Sequence, residues 1–205
     1  ELKLVELDAD MIDHLEHEFQ LAEGDILHKD FLKLDLQSVF DGRDFSIVGN
    51  FPYNISSQIV FMILEHRQHI PVFSGMFQKE VAQRLAAPHG TKTYGILSVL
   101  LQAFYKVEKQ FDIAPGNFNP PPKVDSAVIL CRRLEKPQIT ENIKLFFTIV
   151  KMAFNQRRKM LRNSIKGLLK EKEINEKAQK FLTLRPEQMS VEDFVTLTQE
   201  LKRQP

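Results

Sequence analysis

A single cysteine, Cys131, stands among 205 residues. No disulfide scaffold can be built on it, and a cysteine-ligated zinc site is excluded as well. One lone thiol suits a reducing compartment, so a cytoplasmic protein is expected. No apolar run approaches the ~18 residues that span a bilayer, so no membrane-spanning protein is expected. A basic start followed by a short apolar stretch is also missing, and no secretory signal is read. Glycine is scarce, at eight residues. They form neither G-x-G-x-x-G nor G-x-x-x-x-G-K-[ST], the two glycine-rich phosphate loops. The histidine pairs His14-x-x-His17 and His66-x-x-His69 have no cysteine partner, so surface imidazoles are expected and no metal.

What is present is ordinary in amount and uneven in placement. Apolar residues make up 43% and charged residues 27%, enough for a real core in one large domain or two small ones. The net charge of +1 hides an asymmetry. Residues 1–50 carry thirteen Asp/Glu against four Lys/Arg, whereas residues 51–205 carry fourteen against twenty-four. A polyanion partner for the later part would explain this, and so would charges scattered over solvated faces.

Periodicity then divides the chain. A strand is expected over Leu2–Leu7, then a helix over Ala9–Phe19 capped by Asp8, with Met11, Ile12, Leu15 and Phe19 at helical spacing. A short strand closing at Gly24-Asp25 and a third over Phe45–Gly49 follow. The turn Asn50-Phe51-Pro52-Tyr53-Asn54 leads into a helix capped by Ser56 or Ser57. Further strands are expected over Val72–Phe77 and near residues 103–111 and 127–132, with a helix over Lys79–Ala86. The last two strands read as an antiparallel edge pair. Alternating strands and helices imply an α/β fold with a mainly parallel sheet. After Pro137 only helical periodicity remains, with breaks near Gly167 and Arg185-Pro186. A domain boundary is therefore expected near residue 137.

Open α/β sheets bind ligands at the carboxyl ends of their strands. Glu6, Asp25 and the Asn50 turn are expected there, lining one crevice. An acid at Glu6 suits ribose hydroxyls, and it also suits a helix cap. Asp25 suits an adenine amine, and it also suits a turn. Asn50-Phe51-Pro52-Tyr53 is more specific. An exocyclic adenine amine is a poor nucleophile, because its lone pair is delocalised into the ring. An Asn oxygen and a backbone carbonyl held rigid by Pro52 can accept its two N–H bonds. Tyr53 can then stack on the extruded base. Phe118, in the proline-rich loop, could form a second stacking plate or a loop anchor. Residues 151–172 hold eight Lys/Arg against Glu171 alone, with Arg158, Arg162 and Lys166 at four-residue spacing. On one helical face this row would match a phosphate backbone.

Together, Val5-Glu6-Leu7-Asp8, Gly49-Asn50-Phe51-Pro52-Tyr53-Asn54-Ile55-Ser56, Gln78-Lys79-Glu80-Val81, the segment from Phe118 through Pro120-Pro121-Pro122-Lys123 to Val128, and Ala153-Phe154-Asn155-Gln156-Arg157-Arg158-Lys159 resemble the ribosomal RNA adenine dimethyltransferase family, and within it the bacterial small-subunit (16S) branch. Phe51 stands where the family usually has Leu or Ile. The resemblance implies a Rossmann-like class I methyltransferase sheet with its first strand missing, over residues 1–137. It also implies a small all-helical C-terminal rRNA-binding domain over residues 138–205. S-adenosyl-L-methionine would be the methyl donor, and two adjacent adenines of a small-subunit rRNA hairpin the substrate. Glu6, Asp25 and Asn50 would bind the donor. Asn50, Pro52, Tyr53 and Phe118 would hold and activate the target base. Lys123, Arg157, Arg158, Lys159 and Arg162 would hold RNA. A monomer is expected. The family's glycine-rich first loop has no counterpart here, so a truncated chain of reduced or absent activity is expected. The alternatives are a non-catalytic RNA-binding assembly or transcription factor of the same fold, and a large-subunit rRNA adenine methyltransferase.

Overall fold

The computed structural model describes residues 1–170 and 174–202, and it divides into two compact units, residues 1–44 and 45–205. Lys172 and Glu171 of the basic stretch lie outside the described residues.

The first unit is one β–α–β turn. Strand β1 (Leu4–Glu6) pairs in parallel with β2 (Ile26–His28), Glu6 opposite His28, and helix α1 (Ala9–Glu18) connects them. The Asp8 side chain accepts from the Asp10 N–H, which satisfies one of the orphan donors at the start of α1. Gly24 takes a φ of +80° in the turn before β2, a conformation glycine adopts without steric cost. A short 3-10 turn over Phe31–Lys33 and helix α2 (Leu36–Val39) follow.

The second unit holds a four-stranded sheet in the order β3-β4-β6-β5. Strands β3 (Ile47–Asn50) and β4 (Val72–Gln78) run parallel, joined through helix α3 (Ser56–Glu65). Helices α4 (Lys79–Leu85) and α5 (Ile96–Gln102) lead to β5 (Tyr105–Ile113), which pairs antiparallel with β6 (Ser126–Arg133). Strand β6 also runs antiparallel to β4, from Gln78 opposite Ser126 to Val72 opposite Arg132. This sheet is therefore mixed rather than mainly parallel. No crossover helix separates β5 from β6, so the chain folds straight back, and β6 lands beside β4 in the reverse sense.

The core alternates along the strands. Phe73 and Phe77 of β4, and Ala127, Ile129 and Cys131 of β6, are fully buried, as are Ile59, Val60 and Ile63 of α3. After Pro137 come α6 (Ile143–Asn155), α7 (Leu161–Ser164), α8 (Lys166–Leu169), α9 (Glu176–Leu182) and α10 (Val191–Lys202). Phe146, Ile149, Val150 and Ala153 form the buried stripe of α6 at helical spacing. Phe154 meets Tyr94 and Phe194 at ring centroid distances of 5.9 and 6.0 Å, tying the segment before α5 to α6 and α10.

Candidate active site

The turn from Asn50 to Tyr53 leaves the carboxyl end of β3. Asn50 is exposed, and its side-chain amide makes no hydrogen bond among the described residues. Phe51 turns inward and is 8% exposed. Its ring lies over Gly49 and Gly75, which face each other across β3 and β4. A Cβ at Gly49 or Gly75 would come within 2.7 or 2.8 Å of that ring, so both positions need glycine. The ring also packs 5.8 Å from Phe73 and 5.7 Å from Phe77. An aromatic residue is thus accommodated after Asn50 by two opposed glycines. It anchors the turn in the core.

Pro52 is exposed, and its carbonyl accepts the Ile55 N–H at 3.3 Å. Tyr53 opens a 3-10 turn over Tyr53–Ile55. Ser56 does not cap α3 with its side chain; its hydroxyl donates back to the Tyr53 carbonyl at 2.8 Å and closes that turn. The Tyr53 hydroxyl shares a 2.5 Å hydrogen bond with the buried Ser126 hydroxyl at the start of β6. Both ends of Tyr53 are therefore held, its backbone by Ser56 and its ring tip by Ser126.

The loop between β5 and β6 brings Phe118 to the same place. Asn50, Phe51, Pro52, Tyr53, Phe118, Pro120 and Pro122 line one cavity of about 320 Å³. It lies at the carboxyl end of β3 and the amino end of the antiparallel β6. Two aromatic rings, an unengaged amide and proline-stiffened walls can receive a flat heteroaromatic base and accept hydrogen bonds from its amine.

Of the two acids expected to bind the donor, Glu6 lies where the sequence puts it and Asp25 does not. Glu6 is at the carboxyl end of β1, where its Oε1 accepts the N–H groups of Leu7 and Asp8 at 2.7 and 3.0 Å. Asp25 does not close β2; it precedes it. Its backbone carbonyl accepts from Leu4, which puts it level with the start of β1. Three residues of strand, about 10 Å, separate that level from Glu6. Its carboxylate is used locally, accepting from Ala22 N–H at 2.9 Å and pairing with Lys3 at 3.4 Å. Asp25 and Glu6 thus lie at opposite ends of the two-stranded sheet. The acid at the same end as Glu6 is Asp30, two residues beyond β2, whose Oδ1 accepts the Leu32 N–H at 3.0 Å. Ile26-Leu27-His28-Lys29-Asp30 carries a looser form of the signal in Leu4-Val5-Glu6, an apolar pair with the acid three residues on rather than next to it.

The basic stretch is also rearranged. Arg158 lies in the turn after α6, Arg162 in α7 and Lys166 at the start of α8, so the three do not share one helix face. The backbone breaks because Met160 is extended and the Leu161 N–H is taken by the Leu184 carbonyl at 2.8 Å. Gly167 lies inside α8 rather than at a break. Arg158, Lys159, Arg162 and Lys123 are exposed and form no ion pair among the described residues. Arg157 is half-buried and used in the fold, donating to the Thr91 carbonyl at 3.2 Å and facing Glu187 at 3.7 Å.

A relative from Phocaeicola vulgatus called "Ribosomal RNA small subunit methyltransferase A" is 51% identical over 201 residues, 98% of this chain and 71% of its own length. One of the same name from Parabacteroides distasonis is 52% identical over 198 residues, 97% of this chain and 74% of its own length. Among solved structures, a dimethyladenosine transferase from Plasmodium falciparum superposes with a TM-score of 0.78 at 24% identity, covering 97% of this chain and 81% of that one. The 23S rRNA methyltransferase ErmE superposes with a TM-score of 0.69 at 20% identity, over the same shares of the two chains. The fold is that of the Rossmann-like class I methyltransferases. The sequence matches the family described as "Ribosomal RNA adenine dimethylase" over residues 1–203. With that match running through the Asn50 turn, the Phe118 loop and the basic segment alike, the chain belongs to the ribosomal RNA adenine dimethylase family.

Proposed function

We propose that the protein dimethylates N6 of two adjacent adenines in a small-subunit rRNA hairpin during ribosome biogenesis. Family membership makes S-adenosyl-L-methionine the methyl donor and rRNA the substrate. The observation that carries the reading is the single cavity lined by Asn50, Tyr53 and Phe118. The small-subunit assignment follows the names of the two bacterial relatives.

Glu6 and Asp30 lie at the same strand ends in the first unit and offer carboxylates suited to ribose hydroxyls and an adenine amine, so these residues fit the donor. When bound, the donor supplies an activated methyl group on a sulfonium. The chain supplies the rest. Asn50 Oδ1 accepts an N–H of the target amine and draws its lone pair out of conjugation with the ring. Pro52 keeps that turn in one shape. Tyr53, held by Ser126, and Phe118 grip the base through its faces. Residues 1–137 would serve as the methyltransferase domain and residues 138–205 as the rRNA-binding domain. Lys123, Arg158, Lys159 and Arg162 meet phosphates, whereas Arg157 braces the helices. The protein acts as a cytoplasmic monomer on immature small subunits. Among the described residues, no helix is long and apolar enough to cross a membrane.

Asn50→Ala tests the reading. Methylation of unmethylated small subunits should fall on the order of 10²-fold or more, the usual cost of removing one preorganised transition-state hydrogen bond, with RNA affinity unchanged. A wild-type rate would remove Asn50 from the chemistry. Replacing Arg158 and Arg162 together with Ala should flatten the slope of log affinity against log salt by about one or two phosphate contacts. An unchanged slope with lowered thermal stability would make that segment structural.

A further inference from the structure

The loop that carries Phe118 is closed by one cation. Residues 114–125 connect β5 to β6; Asp112 is the next-to-last residue of β5, and Asp125 is the last residue before β6. The Lys79 Nζ reaches both, at 3.1 Å from Asp112 Oδ2 and 3.3 Å from Asp125 Oδ2. Lys79 is the first residue of α4, and its backbone N–H donates to the Asp125 carbonyl at 2.9 Å. Gln78, just before it, pairs with Ser126, which in turn pairs with Ile113. The ends of three strands meet at this point.

We propose that Lys79 is a positioning residue for methyl transfer: it holds both ends of the Phe118 loop together and so sets Phe118 in the cavity against Tyr53. This rests on the reading of that cavity as the target-base site.

Two observations separate a clasp from a phosphate contact. Lys109 pairs with the far oxygen of Asp112 at 2.7 Å, so two lysines face two aspartates and no surplus positive charge is left for RNA. Hydrogen bonds to Asp112 and then Asp125 also hold the Lys79 ammonium above its ordinary pKa, while Asp112, bonded by Lys109 and Lys79, is held below its own. The same corner governs the second wall, since Asp125 directly precedes Ser126, whose hydroxyl holds Tyr53. Lys79, Asp112 and Asp125 are each 34–48% exposed, and exposed pairs add little to global stability. Their effect falls on the loop.

The test combines kinetics with a readout independent of activity. Lys79→Met keeps the length and removes the charge. It should lower kcat on unmethylated small subunits on the order of tenfold, as a displaced positioning group does. KM for the RNA should stay within about twofold, and the melting temperature should shift by less than about 4 °C. Lys79→Arg should restore most of the rate. The chain has no tryptophan, so Phe118→Trp makes a single fluorescent reporter in the loop. Adding Lys79→Met to it should increase fast local depolarisation of that tryptophan. An unchanged kcat, a loss confined to KM, or identical anisotropy decays with and without Lys79 would each overturn the proposal. If the wild-type protein methylates no small subunit, the function proposed above fails, and the anisotropy alone decides the role of Lys79.

Discussion

The two compact units hold their candidate site residues on different kinds of framework. In residues 1–44, only Leu34 and Leu36 are buried hydrophobics, and α1 buries no residue at all. Leu2, Leu7, Met11 and Phe19 are 48–63% exposed. The Glu6 and Asp30 carboxylates are held by hydrogen bonds to nearby backbone N–H groups. In residues 45–205, the Asn50 turn is anchored by a phenylalanine ring lodged among Phe73, Phe77 and two glycines. The carboxylates sit on a frame of hydrogen bonds, the cavity at Asn50 on a packed core. Local hydrogen-bonded structure with few buried contacts opens at low free energy, whereas core strands open only with the whole domain.

The contrast is tested most severely by truncation. Phe73→Ala should cost about 3–5 kcal/mol in denaturant unfolding, whereas Met11→Ala on the exposed face of α1 should cost less than about 0.5 kcal/mol. Equal costs would mean that α1 is packed and the comparison wrong. A smaller effect comes from glycine. Gly75→Ala puts a methyl group into the Phe51 and Phe77 rings and should destabilise by about 1–3 kcal/mol, with part of the loss recovered when Phe51→Leu is added. At Gly24 nothing lies within 4 Å of an added Cβ, but the φ is +80°. Gly24→Ala should cost about 1 kcal/mol through backbone strain alone, and no partner substitution should relieve it. The mildest change, Asp8→Ala, removes the cap of α1 and should cost about 1 kcal/mol locally. Hydrogen exchange should quicken along α1 while the amides of β4 and β6 keep their protection. Loss of protection in both would show that the units open together.

The same contrast explains what could be read in advance. The Asn50 turn is legible because its signal is local: an amide, a proline and an aromatic side chain in four residues after a strand. The antiparallel β5 and β6 pair was legible because nothing helical separates them. Helix α5 leaves no periodic signal because Leu97, Ser98, Val99, Leu100 and Leu101 are buried all round, so no apolar stripe marks it. Asp25 was set at the wrong end of β2 because a three-residue strand offers no periodicity to fix its limits, and a shift of a few residues moves an acid from one edge of a sheet to the other. The arginine row was read as one helix because spacing alone cannot show that the Leu184 carbonyl, more than twenty residues downstream, takes the Leu161 N–H and turns the chain. Ser126 and Lys79 carry no local signal for the same reason. Their roles depend on partners brought together by the order β3-β4-β6-β5.

That strand order also fixes when the cavity can exist during synthesis. Tyr53 leaves the ribosome with β3 and can pair its turn with α3 at once, but its hydroxyl has no Ser126 to bond and its cavity has no Phe118 wall until β6 has been made. At about 5–20 residues per second, the chain as far as Arg133 follows Tyr53 by roughly 4–16 s. From the synthesis of Gln78 onward, the edge of β4 that will take β6 is an unpaired parallel-sheet edge with Phe73 and Phe77 beside it, a surface prone to wrong pairing. A protein whose substrate is rRNA thus exposes this edge while still attached to a ribosome, and the cavity beside Tyr53 is among the last parts of the sheet to close.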